Sequence, residues 1–364
     1  MKIAFITNSL DQVGGIERVI CQLSNYFIEK LNYDIHIISV YSKKNIDFFL
    51  LNKNLKITNL GIEPLRENSP IKDRLKKIKE INKEIENICS IDKYDIIMTF
   101  QTTISSAIVN NKKKLKSKII VTEHTSHNFY SNRRNLINII NFLKADRLVV
   151  LTEYDKKFYS KFIKSVEKIP NALPFNNEKY PNYGSKKILA VGRLEESKGF
   201  DNLIEAFKLI AHKYTEWHLH IIGEGSQLKV LKKKIKQYNL QKQIIIEPFT
   251  ENIKEKYLEA SIFALSSRFE GFGLVIIEAM ECGLPIVSFD IESSKEILKE
   301  NQDSLLARSF DVEDFANKLS LFMEDEDKRR AYGARAKVNV KKYDIDKIAS
   351  DWDKLFKEIN RGDI

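Results

Sequence analysis

The chain has 364 residues, 43% apolar and 30% charged, a globular composition with material for two cores and not that of a disordered or fibrous protein. No apolar run reaches the roughly 18 residues of a spanning helix, and the apolar stretch opening "MKIAFIT" is too short for a secretory signal. The net charge of +10 is one-sided: residues 1–165 carry 28 Lys and Arg against 17 Asp and Glu, the remainder 32 against 33, so an anionic partner is expected on the first half.

"KIAFIT" (2–7) predicts a first strand, followed by a helical pattern from near Gly15. "YDIHIISV" (33–40), "YDIIMTF" (94–100), "KIIVTE" (118–123) and "DRLVVLT" (146–152) predict further strands. They are short and rich in Ile and Val, as strands buried on both faces must be. Residues 71–89 place apolar side chains at 71, 75, 78, 81, 85 and 88, the spacing of an amphipathic helix. "KIPNALPFNNEKYPNYGSK" (168–186) has the Pro, Asn and Gly content of a linker. Beyond it the pattern restarts. "KKILAVGRLEESKGFDNLIEAFKLI" (186–210) repeats the strand, glycine loop and helix of the chain's opening. "WHLHIIGEG" (217–225), "QIIIEPF" (243–249), "SIFALSS" (261–267) and "LPIVSFD" (284–290) predict more strands.

Strands alternating with helices imply parallel sheets covered on both faces. The expected fold class is α/β: two doubly wound, Rossmann-like domains facing across a cleft. Their expected bounds are 1–167 and 186–343, with a linker at 168–185 and a terminal segment, 344–364. Ligands of open α/β sheets bind beyond the carboxyl ends of the strands, which places the expected site in the cleft. Cys21, Cys89 and Cys282 are widely spaced. They suggest neither a disulfide framework nor a zinc cluster, and they suit a reducing cytoplasm.

Two loops carry chemistry. Arg193 and Lys198 share the loop after strand "ILAV", where paired cations suit a diphosphate. In "SSRFEGFGLVIIEAMECGLPIV" (266–287), a strand ends near Ser267 and a helix is expected from about Gly273. A helix start offers unpaired N–H groups to an anion, and glycines at 271 and 273 allow close backbone approach. Glu270 precedes that helix and Glu278 lies within it. Eight helical residues span about 12 Å, more than the roughly 5 to 9.5 Å between glycosidase carboxylates. The two are therefore expected to grip different diols of one extended ligand.

Together these stretches resemble a known family. "EGFGLVIIEAMECGLPIV" resembles the E-x7-E signature of the retaining, nucleotide-sugar-dependent glycosyltransferases of family 4, which have the GT-B fold. "VGRLEESKG" resembles their phosphate loop, "VGGIER" (13–18) their N-terminal glycine loop, "TEH" (122–124) the loop bearing an active-site histidine, and "KIPNAL" (168–173) the entry to the second domain. The resemblance implies that Arg193 and Lys198 bind the donor diphosphate. The backbone N–H groups of Phe272, Gly273 and Leu274 would join them, with Gly15 closing over from the first domain. It implies Glu278 on the ribose, Glu270 on the transferred sugar, and His124 near that sugar, with His127 as a lower-ranked rival. Phe249 would neighbour the base, and a last helix containing Trp352 would cross back to the first domain. Transfer of a hexosyl or N-acetylhexosaminyl group would proceed with retention, a donor phosphate oxygen helping to take the acceptor proton.

No DxD is present, and "DED" (325–327) lies in a charged late segment. No metal and no cofactor are therefore expected, the nucleotide sugar being a co-substrate. Where many relatives have a glycine- or proline-rich turn after the strand matching "PIVSFD", this chain has "IESSKEI" (291–297). The stretch 129–143 mixes aromatics, Arg133, Arg134 and branched apolar residues behind a lysine run at 111–118. Both arginines are assigned to the acceptor and membrane side, facing a glycan or lipid-linked glycan acceptor and an anionic membrane, on the inner face of the cytoplasmic membrane. A core helix with a solvated lysine loop is the competing reading of that stretch. A non-catalytic nucleotide-sugar sensor would keep Arg193, Lys198 and Glu278 but not His124 or Glu270. A nucleic-acid binder is disfavoured, for no basic-aromatic sheet face or recognition helix is legible.

Overall fold

The computed structural model describes residues 1–11, 14–43, 51–65 and 69–362. The chain divides into two compact units, Met1–Pro174 with Ile345–Ile364, and Phe175–Asp344.

In the first unit β1 (Lys2–Thr7), α1 (Gly15–Leu31), β2 (Asp34–Ser39), β3 (Lys56–Asn59), α2 (Ile71–Ile91), β4 (Ile96–Thr99), α3 (Thr102–Asn110), α4 (Lys112–Leu115), β5 (Lys118–Glu123), α5 (Asn132–Phe142), β6 (Arg147–Val150), α6 (Glu153–Tyr159) and β7 (Val166–Lys168) follow in order. The sheet runs β3-β2-β1-β4-β5-β6-β7 with every pair parallel. β1 is buried from Ile3 to Thr7 because helices cover both faces, which is why its sequence shows no alternation. α1 begins after Gly14, carries Glu17 in its first turn, buries Val19, Ile20, Leu23 and Phe27, and ends on left-handed Asn32. The apolar stripe of α2 is longer than its buried part. Ile81 and Ile85 enter the core, whereas Ile71 and Leu75 are exposed.

The strand order reverses between β1 and β4, the switch point at which such sheets hold ligands. There the Gln101 side-chain Oε1 accepts from the Thr7 hydroxyl (3.1 Å) and the Asn8 N–H (3.0 Å).

The second unit contains β8 (Lys187–Val191), α7 (Phe200–Ala211), β9 (His218–Ile222), α8 (Leu228–Gln237), β10 (Ile244–Glu247), α9 (Ile253–Glu259), β11 (Ile262–Leu265), α10 (Leu274–Glu281), β12 (Ile286–Phe289), α11 (Glu292–Ile297), β13 (Ser304–Ala307), α12 (Val312–Glu324) and α13 (Glu326–Asn339). Its sheet runs β10-β9-β8-β11-β12-β13, again parallel throughout, so its switch point lies between β8 and β11. The last helix, α14 (Ile345–Arg361), packs in the first unit. It buries Ile348, Trp352, Leu355 and Phe356, sets Phe356 edge-on to Phe27 of α1 at 5.5 Å, and accepts from Tyr26 through Asp346 at 2.7 Å.

The stretch 168–185, read as a linker, has no regular structure beyond Lys168, yet it is packed. Ile169, Ala172 and Leu173 are buried in the first unit. In the second, the Asn177 N–H donates to Glu281 (2.7 Å) and the Tyr183 hydroxyl to the Gly283 carbonyl (2.7 Å). Pro and Asn report the loss of helix and strand there, not the loss of burial.

Candidate functional site

At the switch point of the second sheet the loops after β8 and β11 are stitched together. The Arg268 N–H donates to the Ser197 carbonyl (2.8 Å) and the Ser266 hydroxyl to the Lys198 carbonyl (3.1 Å). Gly199 makes this approach possible. Its φ is +62°, and a Cβ there would stand 2.1 Å from the Ser266 carbonyl oxygen. The Arg268 guanidinium locks the pair by a two-point bond to Asp201 at 2.8 and 2.7 Å. This anchor joins residues 67 apart, and no local sequence signal reveals it.

Inside that frame the Lys198 ammonium donates to Glu270 Oε1 at 2.7 Å, and the Ser267 hydroxyl donates to the same oxygen at 2.8 Å. The cation expected on a diphosphate and the carboxylate expected on a sugar thus hold each other. Arg193 is exposed on the same loop. Phe272 is buried, its ring edge-on to Tyr343 at 5.3 Å. Gly273, at φ +93°, turns the chain into α10, and Leu274 opens the helix, where the first N–H groups have no intrahelical acceptor.

Glu278 is buried on α10, and its Oε2 accepts from the Tyr257 hydroxyl of α9 at 2.8 Å. Tyr257 was not legible as a site residue. One turn further, Glu281 is equally buried but is committed to structure by Lys341 (3.0 Å) and the Asn177 N–H (2.7 Å). Phe249 follows β10 and is exposed. "IESSKEI" forms α11, pinned by the Ser294 and Ser288 hydroxyls at 2.7 Å.

In the first unit His124 directly follows β5. Its ring stacks on Phe100 beyond β4, centroids 5.7 Å apart, and Nε2 lies 3.2 Å from the Thr122 hydroxyl. Burial pushes its pKa down to about 4, so the imidazole is neutral at physiological pH. Asn171, Leu151, Val19 and Trp352 line the same recess in this unit. His127 is different in kind. It is buried, its Nδ1 sits 2.6 Å from Asp155, its N–H donates to the same carboxylate oxygen (2.9 Å), and its ring lies flat on Phe158 at 3.9 Å. That packing fixes the ring between Asp155 and Phe158 of α6.

Glu123, unremarked in the sequence, is buried beside His124 and accepts from the Thr102 hydroxyl (2.8 Å), the Thr125 N–H (2.9 Å) and the Tyr130 hydroxyl (3.4 Å). Burial pushes its pKa up to about 7 despite those donors. Gly15 is the first residue of α1, and Val13 of the glycine loop lies outside the described residues. Arg133, exposed, and Arg134, half-buried, stand in the first turn of α5. Among the described residues, no three His, Cys, Asp or Glu side chains gather as a metal-holding group, and no helix is long and apolar enough to cross a membrane.

Residues 13–175 match the model of the family described as Glycosyltransferase Family 4, and residues 174–339 that described as Glycosyl transferases group 1. The two matches meet where the compact units divide. A Haemophilus influenzae protein named as an uncharacterized glycosyltransferase is 31% identical over 96% of this chain and 98% of its own. A Campylobacter jejuni protein, GalNAc-alpha-(1->4)-GalNAc-alpha-(1->3)-diNAcBac-PP-undecaprenol alpha-1,4-N-acetyl-D-galactosaminyltransferase, is 28% identical over the full length of both. Among solved structures, S. aureus TarM with UDP matches with a TM-score of 0.82 at 16% identity, covering 98% of this chain and 99% of its own. Thermosynechococcus elongatus sucrose-phosphate synthase matches at 0.86 and 17%, covering all of both. At such identities the structural likeness is one of fold. Matched along both units by these families and over nearly its whole length by a named glycosyltransferase, the chain belongs to the family 4 glycosyltransferases and has the GT-B fold.

Proposed function

We propose that this enzyme moves a hexosyl or N-acetylhexosaminyl group from a nucleoside-diphosphate sugar to a hydroxyl of a lipid-linked glycan, with retention of configuration, in the building of a bacterial surface polysaccharide or glycan. The observation that carries the reading is the Lys198–Glu270 contact at 2.7 Å. A phosphate-seeking cation and a hydroxyl-seeking carboxylate meet at the carboxyl end of the second sheet's switch point, where adjoining parts of a sugar phosphate can take one each. The names of relatives support the acceptor class. The Campylobacter protein's name specifies an undecaprenol-linked glycan, and an Erwinia amylovora relative is named for amylovoran biosynthesis. UDP is bound in the TarM structure, which supports a nucleotide donor.

In this reading Lys198 and Arg193 take the diphosphate, assisted by the N–H groups of Phe272, Gly273 and Leu274. Negative charge grows on the diphosphate as the sugar leaves. Fixed cations and a helix start stabilise it there without reorganisation, so no metal is required. Glu278, oriented by Tyr257, accepts the ribose hydroxyls. Phe249 flanks the base. Glu270 accepts sugar hydroxyls once a phosphate has displaced it from Lys198. In the first unit His124, neutral, can offer a hydrogen bond to a sugar hydroxyl, and Gly15 opens α1, where free N–H groups suit an anion. A donor phosphate oxygen takes the acceptor proton as the new bond forms on the face the nucleotide leaves.

A thermal-shift screen of UDP-, GDP- and ADP-sugars identifies the donor, and transfer to a polyprenyl-diphosphate glycan is then followed by mass. Glu270→Ala should abolish transfer while leaving nucleoside diphosphate binding measurable. Equal transfer by both proteins, or turnover lost to a chelator, refutes the assignment.

A further inference from the structure

The two loops stitched together at the second switch point are neutral as a pair. Residues 192–199 carry Arg193 and Lys198 against Glu195 and Glu196, and residues 266–273 carry Arg268 against Glu270. Arg268 is engaged by Asp201 through its two-point bond. Glu195 accepts from the N–H (3.1 Å) and hydroxyl (2.7 Å) of Ser226. The start of α10 adds only partial positive charge. A diphosphate brings two or three negative charges to loops with no surplus of cations, so the place of each carboxylate weighs on what binds there.

Glu270 holds the decisive place. Its side chain is 8% exposed, and one of its oxygens takes both the Lys198 ammonium (2.7 Å) and the Ser267 hydroxyl (2.8 Å). The Ser266 hydroxyl fixes the backbone at Lys198, so neither partner can withdraw far. A phosphate oxygen that bonds the same ammonium at about 2.8 Å therefore lies within about 5.5 Å of the carboxylate. With little water there, like charges repel and hydroxyl donors attract. Two ligands of the same nucleotide differ at that point. In the sugar ester the outer phosphate is a diester with one charge, and sugar hydroxyls stand beside it. In the free nucleoside diphosphate the outer phosphate is terminal, with close to two charges at pH 7, and no sugar hydroxyl accompanies it.

We propose that Glu270 makes this site select the sugar-bearing nucleotide against the nucleoside diphosphate left after transfer, so that the reaction's own product competes weakly. In the ligand-free site Lys198 satisfies the carboxylate. A sugar ester that draws Lys198 away supplies hydroxyls in its place. The bare diphosphate draws it away and supplies none, which leaves a largely buried carboxylate facing a dianion. Loss of the sugar to the acceptor therefore turns an attractive contact into a repulsive one, and the spent nucleotide is loosened by the group that had held its sugar. That selection rests on the transferase reading above and adds to it an order of affinities.

The test is titration calorimetry of the full chain with UDP, GDP and ADP, each beside its glucose ester. It compares the native chain, Glu270→Gln and Glu270→Asp, with thermal melting as the check that each variant is folded. Glutamine keeps the shape and can still accept from Ser267, but it carries no charge and does not hold Lys198 as an ion pair. For the base that binds, Glu270→Gln should take the nucleoside diphosphate about tenfold more tightly than the native chain does. It should take the sugar ester no more tightly, since one amide oxygen replaces two carboxylate oxygens as acceptor. Glu270→Asp keeps the charge, and its diphosphate affinity should stay within about threefold of native. A Gln variant that weakens both ligands together is what a merely structural carboxylate would give. That result, an unchanged diphosphate affinity in Glu270→Gln, or an equal gain in Glu270→Asp each overturns the proposal and leaves the transferase reading standing. A native chain that binds none of the six ligands overturns the transferase reading and the selection with it.

Discussion

Replacing Glu123 by Gln should stabilise the enzyme above neutral pH and not below about pH 5. Burial raises the pKa of Glu123 from 4.5 to about 7, so the folded chain holds this proton to higher pH than the unfolded chain does. Stability from this group is therefore full below the unfolded value, declines as pH rises from 4.5, and is lost above about 7. At about 1.36 kcal/mol per pH unit, the folded enzyme loses about 3 kcal/mol across that window. Glutamine matches the shape and never ionises. Its carbonyl can keep the Thr125 N–H, and its amide can donate to the Thr102 hydroxyl. That hydroxyl can then turn to Tyr130, 2.9 Å away. The assay is urea denaturation of native and variant chains at steps from about pH 5 to about pH 8, followed by a probe in the first unit and read as the difference between them. That subtraction removes every other titrating group. The variant should be about equal or slightly weaker at the acid end and up to about 3 kcal/mol more stable at the basic end. A difference that does not change with pH, or a variant weaker at about pH 8, refutes the reasoning.

Lys198→Met should weaken nucleoside diphosphate binding about tenfold to a hundredfold in calorimetry, the cost of one charge-assisted bond to phosphate; unchanged affinity removes Lys198 from the site. Tyr257→Phe leaves buried Glu278 without its hydroxyl donor, and should lower stability by about 1–3 kcal/mol and weaken nucleotide binding, both visible in a ligand-dependent thermal shift. Gly199→Ala sets a Cβ against the Ser266 carbonyl in a left-handed turn, and should cost at least about 1–2 kcal/mol with loss of diphosphate binding; a variant that folds and binds normally would show that the two loops can separate freely.

The parallel sheets were legible because a strand covered on both faces must be Ile- and Val-rich throughout, as "KIAFIT" and "KIIVTE" are. The strands β3 and β7, short and at the two edges of the sheet, carry too few such residues to stand out. The strand-end loops announced Arg193, Lys198, Glu270 and Glu278 by residue type and glycine spacing. Their bonding could not be announced, because Lys198 meets Glu270 across 72 residues and Tyr257 meets Glu278 across 21. His124 and His127, three positions apart, look alike in the sequence. Asp155 and Phe158, supplied by the next helix, separate them. Glu278 and Glu281 differ for the same reason, one held by a hydroxyl and the other neutralised by Lys341. Fold follows from local pattern, and the commitments of individual polar groups follow from packing that no short window contains.

Because α14 lies on α1, the second unit is an insertion within the first, entered after Pro174 and left at Asp344. The inserted body is contiguous in sequence, whereas the first is completed only by the last residues of the chain, which bring the cover for Phe27 that Phe356 provides. A released chain truncated at Asp344 would thus keep every residue of the C-terminal body while its N-terminal body lacked α14.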